Sequence, residues 1–264
     1  MNISAGGEPA PSIQYDTVSV HFGPVEAVHA VSLSVDSGEL FGIVGSDGAG
    51  KSSLLRTAAT LVPPSSGSVR VHGVDVMSHR SKIKTMIGYM PQGFGLYHDL
   101  TVRETMEFFL DIYGILGPER QKRMTRYLDF SNLLPFLDRL AGNLSGGMKQ
   151  KLGLACVLVH EPAVLILDEP TNGVDPISRQ EFWDMLIQMR NKGMTILIST
   201  AYLDEGEQCD RLALMHRGQV LISGTPLQIR ASSPSLEEAV IQRIKEVDHG
   251  LDDETFSWGG IPGA

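Results

Sequence analysis

The chain has 264 residues, of which 42% are hydrophobic, enough for a packed core in one large domain or two smaller ones. Its net charge of -9 argues against broad contact with nucleic acid or an anionic membrane surface, because both require clustered Lys and Arg. No apolar run reaches the roughly 18 residues of a membrane span, and the N-terminus lacks the pattern of a signal peptide. The two cysteines do not have the spacing of metal ligands. We expect a cytoplasmic chain with reduced thiols, held at a membrane only by another protein.

The first third of the chain has the pattern of an α/β sheet. Residues 1–11 are rich in Gly, Pro and Ser, and we expect them to be flexible. The alternating segments "IQYDTVSVHFG" and "AVSLSVDSGE" predict half-buried antiparallel strands, and the continuous apolar run "LFGIVG" predicts a strand buried on both faces. A helix should follow from about Lys51 to before Pro63, then the hairpin "SGSVRVHGVDV" and the short strand "IGYMPQ".

The middle of the chain changes to helical patterns. Thr101 and Glu104 form a capping box before "VRETMEFFLDIYGIL", and "GPERQKRMTRYLDF" is also helical in pattern. Another helix is predicted from about Ser145 to His160, whose partial positive charge the helix dipole would favour. These segments indicate an all-α insertion in the sheet.

Strand patterns return in the last third. "AVLILDEP" and "MTILIST" predict buried strands, and "RLALMH" and "QVLISG" predict a pair of short strands. The acidic stretch from Asp204 to Glu207 is expected to be a solvated helix start rather than a metal site. Ser235 and Glu238 cap a last helix before the Gly-rich tail. We therefore predict an α/β domain around a mainly parallel sheet, with a helical subdomain and an antiparallel edge.

A phosphate-binding motif lies between the buried strand and the first helix. "GSDGAGKS", from Gly45 to Ser52, matches G-x-x-x-x-G-K-[ST] in the strand–loop–helix context that this motif requires. Its glycines let backbone N–H groups point at phosphates, Lys51 reaches the β- and γ-phosphates, and the Ser52 hydroxyl is offered to Mg²⁺. The predicted nucleotide-binding residues are Gly45, Ser46, Asp47, Gly48, Ala49, Gly50, Lys51, Ser52 and Ser53.

Two further segments carry chemistry. The strand "VLILDEP" ends in Asp168, suited to hold Mg²⁺ through its water shell, and Glu169, suited to orient or deprotonate an attacking water. The alternative is a solvated acidic turn. In "NLSGGMKQKLGLA", Ser145, Gly146 and Gly147 expose N–H groups at a helix start, a second anion site aimed at another molecule's nucleotide. The alternative there is an ordinary capped helix.

The phosphate loop, "LSGGM", "LILDEP", "VDP" and Gln92 after "IGYMP", in this order, resemble the ATP-binding cassette (ABC) family of transporter ATPases. The resemblance covers residues 12 to 225, and within the family it is strongest to ATPase subunits of bacterial drug-efflux exporters. It implies an α/β P-loop NTPase fold of the ABC ATPase type, with a mainly parallel central sheet, an antiparallel β subdomain and an inserted α-helical subdomain. The expected organisation is a flexible start at 1–11, an ATPase domain at 12–232 with its helical subdomain at about 93–160, and a C-terminal helix with flexible tail at 233–264.

The resemblance also implies roles for single residues. Phe22 would stack on adenine, with Tyr15 as an alternative, and Gln92 would contact Mg²⁺ and the attacking water beside a segment that receives a membrane subunit. The "LSGG" segment would contact the ATP of an opposing cassette, and Asp175 would lie between the two ATP sites. The implied cofactors are ATP and Mg²⁺. The implied partners are a second cassette and transmembrane permease subunits on the inner face of the cell membrane, with no nucleic acid.

Three positions depart from the family pattern. Met148 replaces a more usual Gln, a change that many relatives of the exporter type share. Asp47 stands where Asn is commoner and adds a negative charge near the phosphates. Ala201 stands where the family places a histidine that hydrogen-bonds the γ-phosphate and aligns the water with Glu169. The departure is open to three accounts: a degenerate site in an asymmetric pair of cassettes, an engineered substitution, or an active site that dispenses with histidine.

The competing functions follow from these departures. The leading hypothesis is a hydrolysing subunit that powers an exporter, and the second is a slowly hydrolysing regulatory cassette paired with an active one, which Ala201 favours. A soluble cassette acting on ribosomes or in DNA repair is disfavoured by the acidic charge and by the exporter-like segment around Gln92.

Overall fold

The computed structural model describes residues 10–248. The predicted flexible tail after residue 248, and all but the end of the predicted flexible start, lie outside these residues. The strands are β1 (Ile13–Phe22), β2 (Val25–Val35), β3 (Leu40–Val44), β4 (Ser66–Val71), β5 (Val74–Asp75), β6 (Ile87–Met90), β7 (Val164–Asp168), β8 (Thr195–Thr200), β9 (Arg211–His216) and β10 (Gln219–Gly224). The helices are α1 (Lys51–Ala58), α2 (Arg80–Met86), α3 (Val102–Ile112), α4 (Pro118–Phe130), α5 (Gly146–Leu158), α6 (Pro176–Asn191), α7 (Leu203–Gly206), α8 (Pro226–Arg230) and α9 (Leu236–Val247).

The larger sheet has the strand order β10-β9-β3-β8-β7-β6. All neighbouring strands are parallel except β9 and β10, which confirms the mainly parallel sheet with an antiparallel edge. Every residue of β3, β7 and β8 is buried, as their continuous apolar sequences predict. Because parallel strands end at one edge of a sheet, the segments after β3, β7 and β8 meet there.

The smaller sheet is antiparallel, in the order β2-β1-β4-β5. Its inward side chains, such as Ile13 and Val18, share a core with Phe41 of β3 and with Leu54 and Leu55 of α1. The predicted alternating strands and the hairpin are thus confirmed. This sheet packs beside α1, the helix that follows the phosphate loop.

Between β6 and β7 the chain is helical, as predicted. Thr101 and Glu104 form the complete capping box at the start of α3. Val102 and Met106 of α3 and Leu128 of α4 pack in one core with Leu152 of α5 and with the face of the sheet. None of the helices in residues 10–248 is long and apolar enough to cross a membrane.

Of two expectations at helix ends, one is confirmed and one needs revision. At the start of α9, Ser235 accepts a hydrogen bond from the backbone N–H of Glu238, as predicted. The expectation that the helix dipole favours a positive charge on His160 is wrong, because α5 already ends at Leu158 and the imidazole is largely buried. Burial lowers the pKa of the imidazole. The ring stacks on Tyr113 with ring centroids 4.0 Å apart. The neutral ring is favoured because it is buried.

Candidate functional site

The loop between β3 and α1 requires glycine at two positions. Gly50 has φ of 100°, and a Cβ there would lie 2.2 Å from the backbone oxygen of Ala27. A Cβ at Gly45 would lie 2.3 Å from the backbone oxygen of Met215. The loop therefore folds tightly against the two neighbouring segments that contain Ala27 and Met215.

The N-terminus of α1 opens into a cavity of about 370 Å³, called the phosphate cavity below because the predicted phosphate-binding loop borders it. Gly48 faces it with φ of 77° and no protein atom within 4 Å of an added Cβ. The helix start brings its unpaired backbone N–H groups and positive dipole end to this cavity, which is the environment that phosphates prefer. The residues lining it are Ala27, Asp47, Gly48, Ala49, Gly50, Lys51, Ser52, Ser53, Gln92 and Glu169.

Lys51 is the buried cation of the cavity. Its Nζ donates to the backbone oxygens of Gly45 at 2.7 Å and Ser46 at 3.0 Å. The same Nζ lies 2.8 Å from Oε1 of Glu169, and both side chains are less than a tenth exposed. The cation is therefore held in place by the loop and neutralised by the carboxylate opposite.

Asp168, the last residue of β7, is completely buried beneath the cavity. Its Oδ1 accepts hydrogen bonds from the hydroxyls of Ser52 at 2.7 Å and Ser199 at 2.9 Å. The Tyr89 hydroxyl donates to Oδ2 at 3.4 Å, and burial raises the pKa of this hydroxyl, so it keeps its proton. Arg56 approaches Oδ2 at 3.8 Å. This environment fixes the carboxylate beside Ser52.

Glu169 leaves β7 in a left-handed backbone conformation, with φ of 47°. Its N–H donates to Ser199, to the hydroxyl at 3.0 Å and to the backbone oxygen at 3.2 Å. Its Oε2 accepts from the side-chain amides of Gln92 at 3.0 Å and Asn172 at 3.3 Å. The carboxylate is thereby aimed at the phosphate cavity.

The oxygen donors at the cavity floor fit Mg²⁺. The Ser52 hydroxyl and the Asp168 carboxylate are in direct contact, and the Gln92 side chain lines the same cavity. Mg²⁺ binds such hard oxygen ligands together with water and phosphate oxygens. In residues 10–248 no group of three His, Cys, Asp or Glu residues could hold a metal by itself.

The segment after β8 borders the same site. Ala201 lines a void of about 10 Å³ next to Glu169 and Tyr202, and its methyl group has no polar atom to offer. The expectation that the acidic stretch is solvated is wrong for one residue: Glu205 is completely buried, whereas Asp204 and Glu207 are exposed. The sequence alone did not distinguish these three acids.

The second segment that the sequence predicts to bind an anion lies at the start of α5. Ser145 is its N-cap and accepts from the N–H of Met148 at 3.2 Å, and both Ser145 and Gly146 are exposed. Gly147 lies against Ser178 of α6, because a Cβ on Gly147 would be 2.3 Å from the Ser178 Cβ. None of these residues is among those that line the phosphate cavity.

Asp175 lies beside this segment, at the N-cap of α6. Its carboxylate is exposed and accepts from the N–H of Ser178 at 2.9 Å. Hydrogen bonds from the backbone and the hydroxyl of Ser178 lower the pKa of this carboxyl group. The start of α5 and the start of α6 thus form one exposed surface. A helix here was not predicted, although Asp175 followed by Pro176 is a typical helix start.

The two candidate adenine-stacking residues differ in burial. Phe22 ends β1 and is 48% exposed, whereas Tyr15 is 2% exposed and its hydroxyl donates to the backbone oxygen of Leu54. Stacking needs an accessible ring face, so Tyr15 is unavailable for it.

The fold and the site define a P-loop nucleotide-binding protein. The family model for ABC transporters matches residues 28–172, more than half of the chain, and the protein belongs to this family of ATP-binding subunits.

Among its relatives, the chain is 50% identical over 200 residues to the probable multidrug ABC transporter ATP-binding protein YbhF of Escherichia coli, covering 76% of this chain and 35% of YbhF. It is 36% identical to the Nod factor export ATP-binding protein I of Sinorhizobium fredii, covering 81% of this chain and 63% of that protein. It is 32% identical to the linearmycin resistance ATP-binding protein LnrL of Bacillus subtilis, covering 89% and 76%. The chain therefore spans about a third of the first relative and less than two thirds of the second.

Solved structures agree in fold. An ATP-binding subunit of an ABC transporter superposes with a TM-score of 0.79 at 28% identity, covering 88% of this chain and 99% of that chain. A dimeric ATP-binding cassette with ADP and phosphate, described as a post-hydrolysis state, superposes with a TM-score of 0.72 at 25% identity, covering 81% and 98%.

Proposed function

We propose that this chain hydrolyses Mg-ATP and powers an ABC exporter. The observation that carries the proposal is the convergence of a buried lysine, a hydroxyl–carboxylate pair and a second carboxylate on one glycine-walled cavity. This set combines the parts that phosphoryl transfer to water needs: charge neutralisation, metal ligands and a group that orients water.

Each residue has a role that its contacts support. The loop from Gly45 to Ser53 holds the phosphates, and Lys51 neutralises charge on the β- and γ-phosphates. Ser52, Gln92 and Asp168 hold Mg²⁺, which supplies further charge neutralisation on the phosphate oxygens. Glu169, fixed by two side-chain amides, orients the attacking water and accepts its proton. Phe22 offers an exposed ring to the adenine.

A second cassette completes the site. Ser145, Gly146 and Gly147 form a helix N-terminus with no place in the phosphate cavity of their own chain, which suits contact with nucleotide on a partner. Asp175 shares that surface and would lie at the interface. Two cassettes would therefore enclose two ATP molecules head to tail, and their closure and hydrolysis would drive the membrane subunits.

The helical segment offers a surface for those membrane subunits. Tyr97 is 60% exposed, Ile112 is 58% exposed and Leu116 is 74% exposed, and Phe108 stacks edge-on against Tyr97. Exposed apolar patches mark protein contacts, and the Tyr97–Phe108 pair follows Gln92 in the chain. We assign residues 12–232 to the ATPase domain and about 93–160 to this helical subdomain, which would dock on permeases at the cytoplasmic face of the membrane.

The exporter assignment rests on the relatives. Two of them are named for multidrug transport or Nod factor export, and a third for linearmycin resistance. Drug efflux is therefore the activity that we propose for the assembled transporter.

A second candidate function is a slowly hydrolysing regulatory cassette paired with an active one. Ala201 favours it, because the methyl group beside Glu169 can neither sense a γ-phosphate nor align a water. The other departure from the family pattern at the cavity is Asp47, which adds a negative charge near the phosphates.

The test is ATP hydrolysis by the purified chain, with Mg²⁺ present and with Mg²⁺ removed by a chelator. Mg²⁺-dependent turnover that Asp168→Asn abolishes supports the hydrolysing subunit. Tight ATP binding without turnover, at any ratio of chain to ATP, would instead support the regulatory cassette. The matched control is Asp184→Asn, an exposed acid on α6 away from the cavity.

A further inference from the structure

Glu205 is a buried carboxylate to which the proposed chemistry assigns no role. It lies in the short helix α7, five residues after the end of β8, and its side chain has no exposure to solvent. Placing a carboxylate in the protein interior is costly unless hydrogen bonds replace its water. Its partners therefore indicate why it is there.

Two hydroxyl groups hold this carboxylate. Thr171 Oγ1 donates to Glu205 Oε1 at 2.7 Å, and Thr200 Oγ1 donates to Glu205 Oε2. The Thr200 hydroxyl also accepts the N–H of Tyr202 at 3.0 Å, so its single proton is free to point at Glu205. Both hydroxyl groups are thus oriented by the carboxylate.

The two threonines lie close in sequence to two residues of the proposed site. Thr171 follows Glu169 by two residues, and Thr200 directly precedes Ala201. The backbone oxygen of Thr200 also accepts the N–H of Gly45, at the start of the phosphate loop, at 3.3 Å. Glu205 therefore cross-links the segment that carries the proposed base to the strand end that touches the phosphate loop.

A third contact links Glu205 to α6, the helix whose N-terminus Asp175 caps. Arg179, in the first turns of α6, lies 3.9 Å from Glu205 Oε1 and 2.9 Å from Asp204 Oδ2. Its guanidinium also covers the ring of Tyr202 at 4.9 Å. The buried carboxylate is thus linked to the helix whose start is exposed beside the second anion-binding segment.

We propose that Glu205 is a positioning residue for ATP hydrolysis, which holds Glu169 and the end of β8 in register and connects both to α6. The inference rests on the proposed hydrolytic function. Glu205 does not line the phosphate cavity, so it should affect turnover and not nucleotide affinity. Displacing a catalytic group by about 1 Å can lower a rate on the order of a hundredfold.

The first variant is Glu205→Gln, which keeps the shape but offers one acceptor oxygen in place of two. The measurements are kcat and KM for Mg-ATP, the dissociation constant of ATP and the thermal midpoint of the full chain. We expect kcat to fall by about tenfold or more, with the ATP dissociation constant within about twofold of wild type. The matched control is Glu207→Gln, an exposed acid two residues away, which should leave all values unchanged.

Thr171→Val is the second variant, for the case in which Glu205→Gln does not fold. It removes one donor and leaves the carboxylate in place, and the same loss of kcat at constant affinity is expected. Unchanged kcat in a folded variant overturns the inference, as does a parallel loss of kcat and ATP affinity. Absence of turnover in wild type and in Ala201→His would instead refute the proposed hydrolytic function itself, and this inference with it.

Discussion

Lys51 Nζ and Glu169 Oε1 lie 2.8 Å apart as a buried ion pair across the phosphate cavity. The cation that would bind the nucleotide and the carboxylate that would activate water therefore neutralise each other. Under the proposed function, bound phosphates would compete with this carboxylate for the lysine.

Lys51→Ala should abolish tight ATP binding, because the phosphates lose their cation. It should also destabilise the fold by about 3 kcal/mol, because Glu169 then keeps a buried charge without its cation. A fluorescent-nucleotide titration and urea unfolding measure the two effects, with Lys149→Ala on α5 as the control. Unchanged nucleotide affinity would contradict the phosphate-loop assignment.

Glu169→Gln should remove hydrolysis and strengthen ATP binding. The amide keeps the size of the side chain but releases Lys51 from its ion pair, so the lysine meets the phosphates without competition. The ATP-bound dimer should accumulate, which size-exclusion chromatography in saturating Mg-ATP detects. A variant that stays monomeric there would argue against the head-to-tail dimer for the isolated chain.

Ala201→His should raise turnover, because an imidazole at the end of β8 would reach toward the γ-phosphate and the water near Glu169. The control is Ala201→Phe, which supplies a ring without nitrogen atoms. Steady-state ATPase assays compare the three proteins. If histidine and phenylalanine give the same turnover as alanine, the methyl group at 201 does not limit hydrolysis.

Gly50→Ala should unfold or distort the phosphate loop. The added Cβ would meet the Ala27 oxygen at 2.2 Å in a backbone conformation with φ of 100°. Gly73→Ala has a similar positive φ but open space around the Cβ, so it should cost only about 1 kcal/mol. Urea unfolding of both variants separates the cost of the close contact from the cost of the backbone conformation. Equal losses of unfolding free energy in the two variants would contradict the close approach of Gly50 to Ala27.

His160 should make stability depend on pH. Burial lowers its pKa in the folded state, so the unfolded chain binds the proton more readily, and this contribution to stability is lost as pH falls below the unfolded value of about 6.5. His160→Phe keeps a ring against Tyr113 and should flatten the profile of unfolding free energy between pH 7.5 and 5.5. The exposed His98→Gln should not, and a wild-type slope in His160→Phe would exclude His160 as the source.

The phosphate loop and the Asp168–Glu169 pair could be predicted because each is contiguous in sequence and adjoins a strand that reads as buried. The role of Ser199 could not be predicted, because its two side-chain hydrogen bonds at the site depend on its pairing with Asp168 across β7 and β8. Glu205 was missed for a similar reason. Three acids in four residues look alike until the fold shows which one points toward Thr171 and Thr200.

The left-handed backbone of Glu169 has an evolutionary consequence. A glutamate at φ of 47° costs about 1 kcal/mol relative to glycine, which adopts this conformation freely. Under the proposed function, selection for a stable backbone and selection for turnover would pull in opposite directions at this residue. A lineage that did not need to hydrolyse ATP could lower this backbone cost by replacing the glutamate with glycine or asparagine.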